Sequence, residues 1–522
     1  MNLLTDSLLR VQTEQSLEYL SLPALLARLG ANEVHHIVGI QKHQHDAFHV
    51  FLCYLAGAVL TRKNSSDPKQ DEDFWREGLL ALSGDAGYDA WRLVVDDISR
   101  PAFMQPPIPG DRRRPTSIIN TPDELDVLQT AKNHDVKRTR AGSSKVDVWV
   151  YSLISLQTMS GFLGRGNQGI SRMNSGFGNR SIVELIHDRS PGQRWIDAVT
   201  RLLEHRRHVL SESFGYDPAG LVLVWLEPWD GETSLELAQL DPFYIEICRR
   251  VRFVGDGSIS GAAVYSANQP RIAAKHLLGV VGDPWLPVEL KSITRGRKAA
   301  PTALTFPPAG ITAEHMRRLI FADGFQLSVL QSPLPEWEDD LWLSVSVLVR
   351  GQGVTDGFYE WKVEIPKQKT LSIFGRSEQR QALQQLSRSA IDLTAKMQNR
   401  VLKPAVFAHI LGGPKQLRLD DDFAGSIWNG LARNFESLWS ADYFPWLFSV
   451  PEVFDEQEEQ HRWVEILLEH ALTVLKQAES SMPSHSGYQY RVKTEVRNRF
   501  WGAFYNNFPF MRGDRSEPSA GA

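Results

Sequence analysis

The residues with the clearest chemical possibilities sit in one glycine-rich stretch. Gly164-Arg165-Gly166-Asn167-Gln168-Gly169 matches G-x-G-x-x-G, the spacing that lets bare backbone approach a pyrophosphate in dinucleotide sites. That chemistry needs a strand before the first glycine and an amphipathic helix opening at the third. VDVWVYSLISL (146–156) is a candidate strand, but ISRMNSGFGNR (170–180) carries Gly176 and Gly178 and no helical apolar stripe. The stretch reads better as a loop whose glycines let something come close, with Arg165, Asn167 and Gln168 as hydrogen-bond donors. An irregular structural loop is the plainer alternative.

Histidines offer a second possibility. His35, His36, His43, His45 and His49 cluster near the N-terminus, and His45 and His49 are one helical turn apart, where two imidazoles can share a metal. There is no HExxH, and carboxylate ligands beyond Asp46 are not obvious, so solvated or capping histidines are expected. The His-Asp pairs at 45–46, 134–135 and 187–188 suit a metal phosphohydrolase, yet such pairs arise readily by chance. Cys53 and Cys248 are too few for a thiolate zinc site or a disulfide framework. The chain has neither a G-x4-G-K-[ST] loop nor a G-x-S-x-G elbow. No nucleophile is paired with a base, and no metal, cofactor or catalytic residue is expected.

Features suited to nucleic acid are more numerous. Lys132, Asn133, His134 and Lys137, with Arg138 and Arg140, make a basic, polar segment suited to phosphates. Lys291, Arg295, Arg297 and Lys298 make a second run with no acid between them. Residues 131–180 hold eight Lys and Arg against two Asp, a local +6 in a chain whose net charge is −5. RGQGVTDG (350–357), with Gln352, Val354 and Thr355, reads as a slender hairpin tip able to enter a groove or part a base step. Each feature taken singly is also what a solvated surface looks like. The acidic stretches Glu336–Asp340, Asp420–Asp422 and Glu456–Glu459 read as solvated faces.

These features need elements to position them. With 522 residues, 42% hydrophobic and 23% charged, the chain is an ordinary globular one, long enough for about three domains, or two large ones. Phe48, Phe51, Leu52, Leu55 and Val59 recur at helical steps and predict a buried helix. Pro101 to Pro115 predicts an extended surface connector. LVLVWLEPW (221–229), YIEICRRVRFV (244–254) and LWLSVSVLV (341–349) predict strands, the last paired with FYEWKVEI in a long hairpin.

Beyond residue 375 the pattern is helical. Leu383, Leu386, Ala390, Leu393, Met397 and Val401 form one seam, with Ser377 as N-cap and Pro404 as stop. Three further helices follow, through Ile427–Leu438, Trp463–Ala478 and Val492–Phe504. The predicted class is α+β: a mixed α/β N-terminal domain over 1–370, a C-terminal four-helix bundle over 371–510 and a flexible tail over 511–522. The N-terminus has no signal-peptide layout. The longest nearly apolar run, Phe48 to Leu60, falls short of the roughly 20 residues a bilayer span needs. A cytoplasmic protein is expected.

The order of several motifs is similar to that of a known family. PAFMQ (101–105), TPDELDVLQTAKNHDVKR (121–138), LQTMSGFLGRGNQGISRMNSGFGNR (156–180), GDPWLPVE (282–289), ALTF (303–306) and RGQGVTDGFYEWKVEIP (350–366) occur in sequence. This order resembles the CasA family, the large subunit of the type I-E CRISPR interference complex Cascade, over about residues 100–510.

The resemblance implies a non-catalytic DNA-recognition subunit. Guide-RNA pairing reads the target, while the protein checks a short flanking motif, the PAM, and helps open the duplex into an R-loop. It assigns Gly161, Gly164, Arg165, Gly166, Asn167, Gln168, Arg172 and Asn174 to a PAM-facing loop. Lys291 or a neighbour among Arg295, Arg297 and Lys298 becomes a groove-facing base, and Gln352, Val354 or Thr355 a wedge beside the PAM. Lys132, Asn133, His134 and Lys137 fall in a segment that docks near the 5′ end of the guide RNA (crRNA).

The implied partners are guide RNA and double-stranded target DNA. They also include the backbone, small, 5′-handle-binding and guide-processing Cascade subunits, and a Cas helicase-nuclease recruited for antiviral defence. Some members carry a four-cysteine zinc site, which two cysteines cannot build. Two rivals stand beside this reading: an RNA- and protein-binding scaffold without PAM reading, and a nucleotide- or metal-dependent enzyme built on GRGNQG or the histidines.

Overall fold

The computed structural model describes residues 1–109, 114–128, 145–174, 180–212, 214–290, 300–350, 355–375, 378–481 and 486–512. The chain divides into two compact units, residues 1–311 with 322–364, and residues 312–321 with 365–522. The segment 312–321, expected within the N-terminal domain, therefore groups with the second unit.

The first unit is built around the helix His45–Arg62. It is apolar on every side, and a helix of that kind has to be surrounded; 13 of its 18 residues are buried. The helices Glu72–Leu82, Val146–Met159 and Pro191–Ser211 and the strand Leu240–Ile245 pack on it. Gly78 sets the closeness of one contact, since a Cβ there would lie 2.2 Å from Val59 Cγ1. Ser21, Asp71 and Ser190 cap three helices by accepting from the N–H groups of Ala24, Phe74 and Gln193.

The strand Ser181–Ile186, buried at every position, pairs antiparallel with Leu341–Arg350, from Trp342 opposite Ile186 to Val347 opposite Ser181. Thr355–Ile365 flanks Leu341–Arg350 on its other side. Glu184 is buried because Arg194 binds it through Nε and Nη2 at 3.0 and 2.8 Å. Arg194 also reaches Asp46 at 2.9 Å. Burial works against the Glu184 charge, but Arg194, His49 and Arg201 outweigh it and hold the carboxyl well below the usual range. A second three-stranded sheet orders Ser117–Ile119, Gly261–Tyr265 and Arg250–Val254.

Three expectations change in this unit. The first half of the proline-rich connector does not run over the surface: Ala102, Phe103, Met104, Gln105 and Ile108 are buried, whereas Arg114 and Pro115 are exposed and 110–113 lie outside the described residues. Side chains serve the backbone there. Gln105 donates to the carbonyls of Leu93 and Phe103 and accepts from the Phe253 N–H, and Arg252 donates to the carbonyls of Arg100 and Gln105. VDVWVYSLISL is a helix, Val146–Met159, because 11 of its 14 residues are buried and all-round apolarity erases the periodicity separating helix from strand. The two expected strands at 221–229 and 244–254 are shorter and broken. Leu221–Leu223 passes into a 3₁₀ turn, and residues 246–249 separate Leu240–Ile245 from Arg250–Val254.

Among the described residues the second unit holds a bundle of four long helical stretches and two shorter helices, Ala313–Ile320 and Thr370–Phe374. Glu378–Ile410 carries the expected seam, with Leu383, Leu386, Ala390, Leu393, Met397 and Val401 buried. Pro404 does not stop it. The chain passes from α-helix through a π-helical segment, Met397–Leu402, into Lys403–Ile410. The wider i→i+5 ladder lies just before the ring, and Pro404 falls in the first turn of the new segment, where its missing N–H is not needed. Asp422–Ser449, Glu456–Ser481 and Ser486–Asn507 complete the bundle. Trp463 ties two stretches together by donating from Nε1 to the Ala390 carbonyl and Thr394 Oγ1. Tyr443 donates to the Ser387 carbonyl. Of the expected tail, 513–522 lies outside the described residues. No helix among the described residues is long and apolar enough to cross a membrane.

Candidate nucleic-acid interface

The glycine stretch is an Ω-like loop closed at its neck and pinned from beneath. It leaves the helix Val146–Met159 at Ser160 and returns at Ile170, whose N–H bonds the Ser160 carbonyl at 3.1 Å. At its tip the Asn167 N–H bonds the Gly164 carbonyl at 3.0 Å, and the Leu163 N–H bonds the Asn167 carbonyl at 3.0 Å. Gly166 holds φ +88°, as the third position of a type II turn requires. Arg165, second in that turn, is exposed, and among the described residues its guanidinium has no hydrogen bond or ion pair. Among the described residues a Cβ on Gly164 would meet nothing within 4 Å, so they leave approach to the tip open. A Cβ on Gly169 would lie 2.9 Å from the Phe162 nitrogen.

Beneath the loop lies Arg249, which the sequence reading did not single out. Its Nη1 donates to the carbonyls of Gln168 and Cys248, and its Nη2 to Ser160 Oγ at 2.8 Å and the Gly161 carbonyl at 2.9 Å. Gln157, buried on the preceding helix, holds Arg249 in turn. The Ala267 N–H bonds the Gly166 carbonyl at 2.9 Å, and Gln168 donates to the carbonyls of Ala267 and Asn268. The available sequence signal was three arginines in an otherwise apolar run, Arg249, Arg250 and Arg252, because buried guanidiniums need carbonyl or carboxylate acceptors. Burial pushes Arg252 down to about 10, still cationic at neutral pH.

Arg172 is a correction. It was assigned to the DNA-facing loop, but it is 2% exposed and cannot reach a phosphate. Its guanidinium lies 3.5 Å over the Tyr244 ring and 4.8 Å over Tyr54, with Nη1 3.3 Å from Glu246 Oε2. Burial opposes its charge, but Tyr244, Tyr54, Glu246 and Asp283 outweigh that and raise its pKa. For Glu246 burial prevails and pushes the carboxyl up. Ser171 binds Glu246 through both N–H and Oγ, and Arg180 donates to Asp283 at 2.9 Å. Local charge pointed to an anion; the anion is internal.

The other assigned positions divide as follows. Gly161 is buried at the loop base and Gly166 is buried under the tip turn, Asn167 and Asn174 are half-buried, and half-buried Gln168 has its amide donors occupied by the two carbonyls beneath. Lys132, Asn133, His134 and Lys137 lie outside the described residues, as do Lys291, Arg295, Arg297 and Lys298, and Gln352 and Val354. Thr355 opens the strand Thr355–Ile365.

Of the histidines, His35 and His36 are exposed, His43 is buried with Nε2 2.7 Å from Asp126, and His49 lies 3.6 Å from Glu184. The last two are interior partners of carboxylates rather than solvated groups. Among the described residues no three or more His, Cys, Asp or Glu side chains gather where they would hold a metal ion. The G-x-G-x-x-G run follows a helix instead of a strand, and no helix opens at Gly169, which removes the dinucleotide geometry.

No family model and no curated protein matches the chain. Solved structures do. Thermus thermophilus CasA (Cse1) superposes with a TM-score of 0.62 at 14% identity, covering 96% of this chain and 99% of that one. Cse1 from Acidimicrobium ferrooxidans gives 0.64 at 12% identity, with 98% of both chains covered. Thermobifida fusca Cse1 gives 0.63 at 12%, again with 98% of both. The chain therefore has the fold of the CasA (Cse1) proteins along essentially its whole length.

Proposed function

We propose that this chain is the large, non-catalytic subunit of a type I-E RNA-guided CRISPR surveillance complex, reading the PAM of double-stranded DNA and promoting R-loop formation. The observation that carries the reading is a pinned loop on a CasA-like fold. It presents Gly164 and the Arg165 guanidinium, unpaired among the described residues, to solvent. Backbone that is already ordered loses little entropy on binding, and a free arginine suits phosphate or a narrow minor groove.

In this reading Lys291, or Arg295, Arg297 or Lys298, supplies a second groove contact, and one of Gln352, Val354 and Thr355 wedges beside the PAM. Lys132, Asn133, His134 and Lys137 meet the guide RNA. The partners are the remaining Cascade subunits and a helicase-nuclease that degrades the opened target, in the cytoplasm.

The test is a gel shift of guide-RNA complex reconstituted with and without this chain. Matched duplexes differ only in flanking sequence, at fixed salt because phosphate contacts are screened. Tight binding that needs both the chain and a particular flank supports PAM reading. Flank-independent binding, with Arg165→Ala altering assembly instead, makes the chain a scaffold.

A further inference from the structure

The loop that presents Arg165 also leaves two apolar side chains partly exposed. Phe162 and Leu163 are 39% and 42% exposed, adjacent on the arm that rises to the tip. Their backbone is not free to withdraw them. The Gly161 carbonyl is bound by Arg249 at 2.9 Å, the Leu163 N–H by Asn167 at 3.0 Å, and the Phe162 nitrogen lies against Gly169.

Charge narrows the partner. No Asp or Glu occurs between Asp147 and Glu184, so an aromatic ring, a branched aliphatic chain and a guanidinium with no ion pair among the described residues share a tip whose own segment carries no acid; Glu232, beside the loop, is bonded to Asn268. A polyanion with flat apolar faces matches all three: the guanidinium meets a phosphate and the apolar pair meets a base. The open space at Gly164 admits the sugar-phosphate backbone between them.

We propose that Phe162 and Leu163 form a base-contacting apolar wedge. Phe162 stacks on a base at a partly unstacked step and Leu163 fills the gap beside it, while Arg165 holds the neighbouring phosphate. The wedge rests on the reading that this loop faces target DNA. It is separate from the wedge assigned to residues 352–355, and it makes the loop a contributor to opening as well as to recognition.

The test uses the reconstituted guide-RNA complex and duplexes carrying 2-aminopurine at successive flank and first-target positions, because this base brightens when unstacked. Wild-type chain brightens one or two adjacent positions before the target pairs with the guide. Phe162→Ala/Leu163→Ala abolishes that signal and weakens target binding between about fivefold and about a hundredfold, the range for losing one base–aromatic stack. It leaves the salt dependence unchanged. Arg165→Ala instead lowers the salt slope by about one, and Phe162→Trp restores the signal.

Both side chains stand outside the core, so the variants keep the wild-type Tm; should the double variant melt early, Phe162→Leu alone isolates stacking from bulk. Wild-type signal in the double variant, with Arg165→Ala still defective, overturns the wedge and leaves the DNA-facing loop standing. A double variant that drops out of the complex while folded makes the pair a protein contact and overturns the wedge. If wild-type chain changes neither binding nor fluorescence, the functional reading fails and the wedge with it.

Discussion

Gln157 grips the backbone of Arg249 from both directions. Its amide nitrogen donates to the Arg249 carbonyl at 2.9 Å, and its amide oxygen accepts from the Arg249 N–H at 2.8 Å. The same side chain donates to the Met104 carbonyl and accepts from the Cys248 N–H, so all four of its hydrogen-bonding sites are used. It replaces the ladder partner missing where the chain breaks between Leu240–Ile245 and Arg250–Val254. Through Arg249 it also fixes the glycine loop.

Replacing Gln157 by Leu therefore leaves several buried backbone groups unpaired. We expect a loss of at least about 2 to 4 kcal/mol, since each orphaned group costs roughly 1 to 3. Chemical denaturation of the full chain measures it, and an effect under 1 kcal/mol would mean the segment repairs itself.

Arg249→Ala removes the pin beneath the loop while leaving the core helix intact. Exchange of the Asn167 and Ile170 amides, both bonded within the loop, should accelerate by about tenfold or more, from losing contacts worth roughly 1 to 3 kcal/mol. Hydrogen exchange resolved by mass spectrometry reads this directly. Unchanged protection at both amides would show that the loop holds its shape without the arginine.

Arg172 and Arg165 should behave oppositely. Arg172→Ala strands the buried Glu246 and Asp283 and should cost about 3 to 5 kcal/mol. Arg165→Ala breaks no hydrogen bond or ion pair among the described residues and should stay within about 0.5 kcal/mol of wild type while weakening DNA binding. Parallel melting curves and salt-titrated gel shifts separate the two. A stable Arg172→Ala protein with impaired DNA binding would reverse the assignment.

Glu184→Gln should be strongly destabilising at pH 7, by about 3 to 5 kcal/mol, because Arg194 and Arg201 lose a buried counter-charge. The Glu184 carboxyl is held below its ordinary 4.5, so its stabilisation is fully present above that value. It is lost as pH falls from 4.5 through the depressed folded value. The gap in stability between wild type and variant should shrink below pH 4.5; a gap that widens with acid would contradict the assignment.

Much of the bundle was legible because its helices are amphipathic. Leu383 through Val401 repeat at three and four residues, which suffices to place an apolar seam. Where a segment is buried all round, as in Val146–Met159, that signal vanishes, and only tertiary surroundings decide between helix and strand. Pro404 shows a related gap: a proline predicts a break, but whether a π turn absorbs it depends on what packs around the helix.

The candidate site was legible as composition and less so as roles. Glycine spacing and the acid-free run located the loop and its exposed Arg165. They did not distinguish Arg165 from Arg172, seven residues on, because both are arginines in the same basic stretch. Their acceptors differ by long-range folding: Glu246 and Asp283 come to Arg172 from 74 and 111 residues away, and none comes to Arg165 among the described residues.

The α+β class, the helical C-terminal part and the position of the glycine loop could be read from the residues alone, because those rest on local periodicity and glycine's backbone freedom. Tertiary structure alone decided which charges face inward, which glutamines replace strand partners and which apolar side chains are left outside. A polar group's role depends on whether a distant partner reaches it before water does, and no local pattern carries that information.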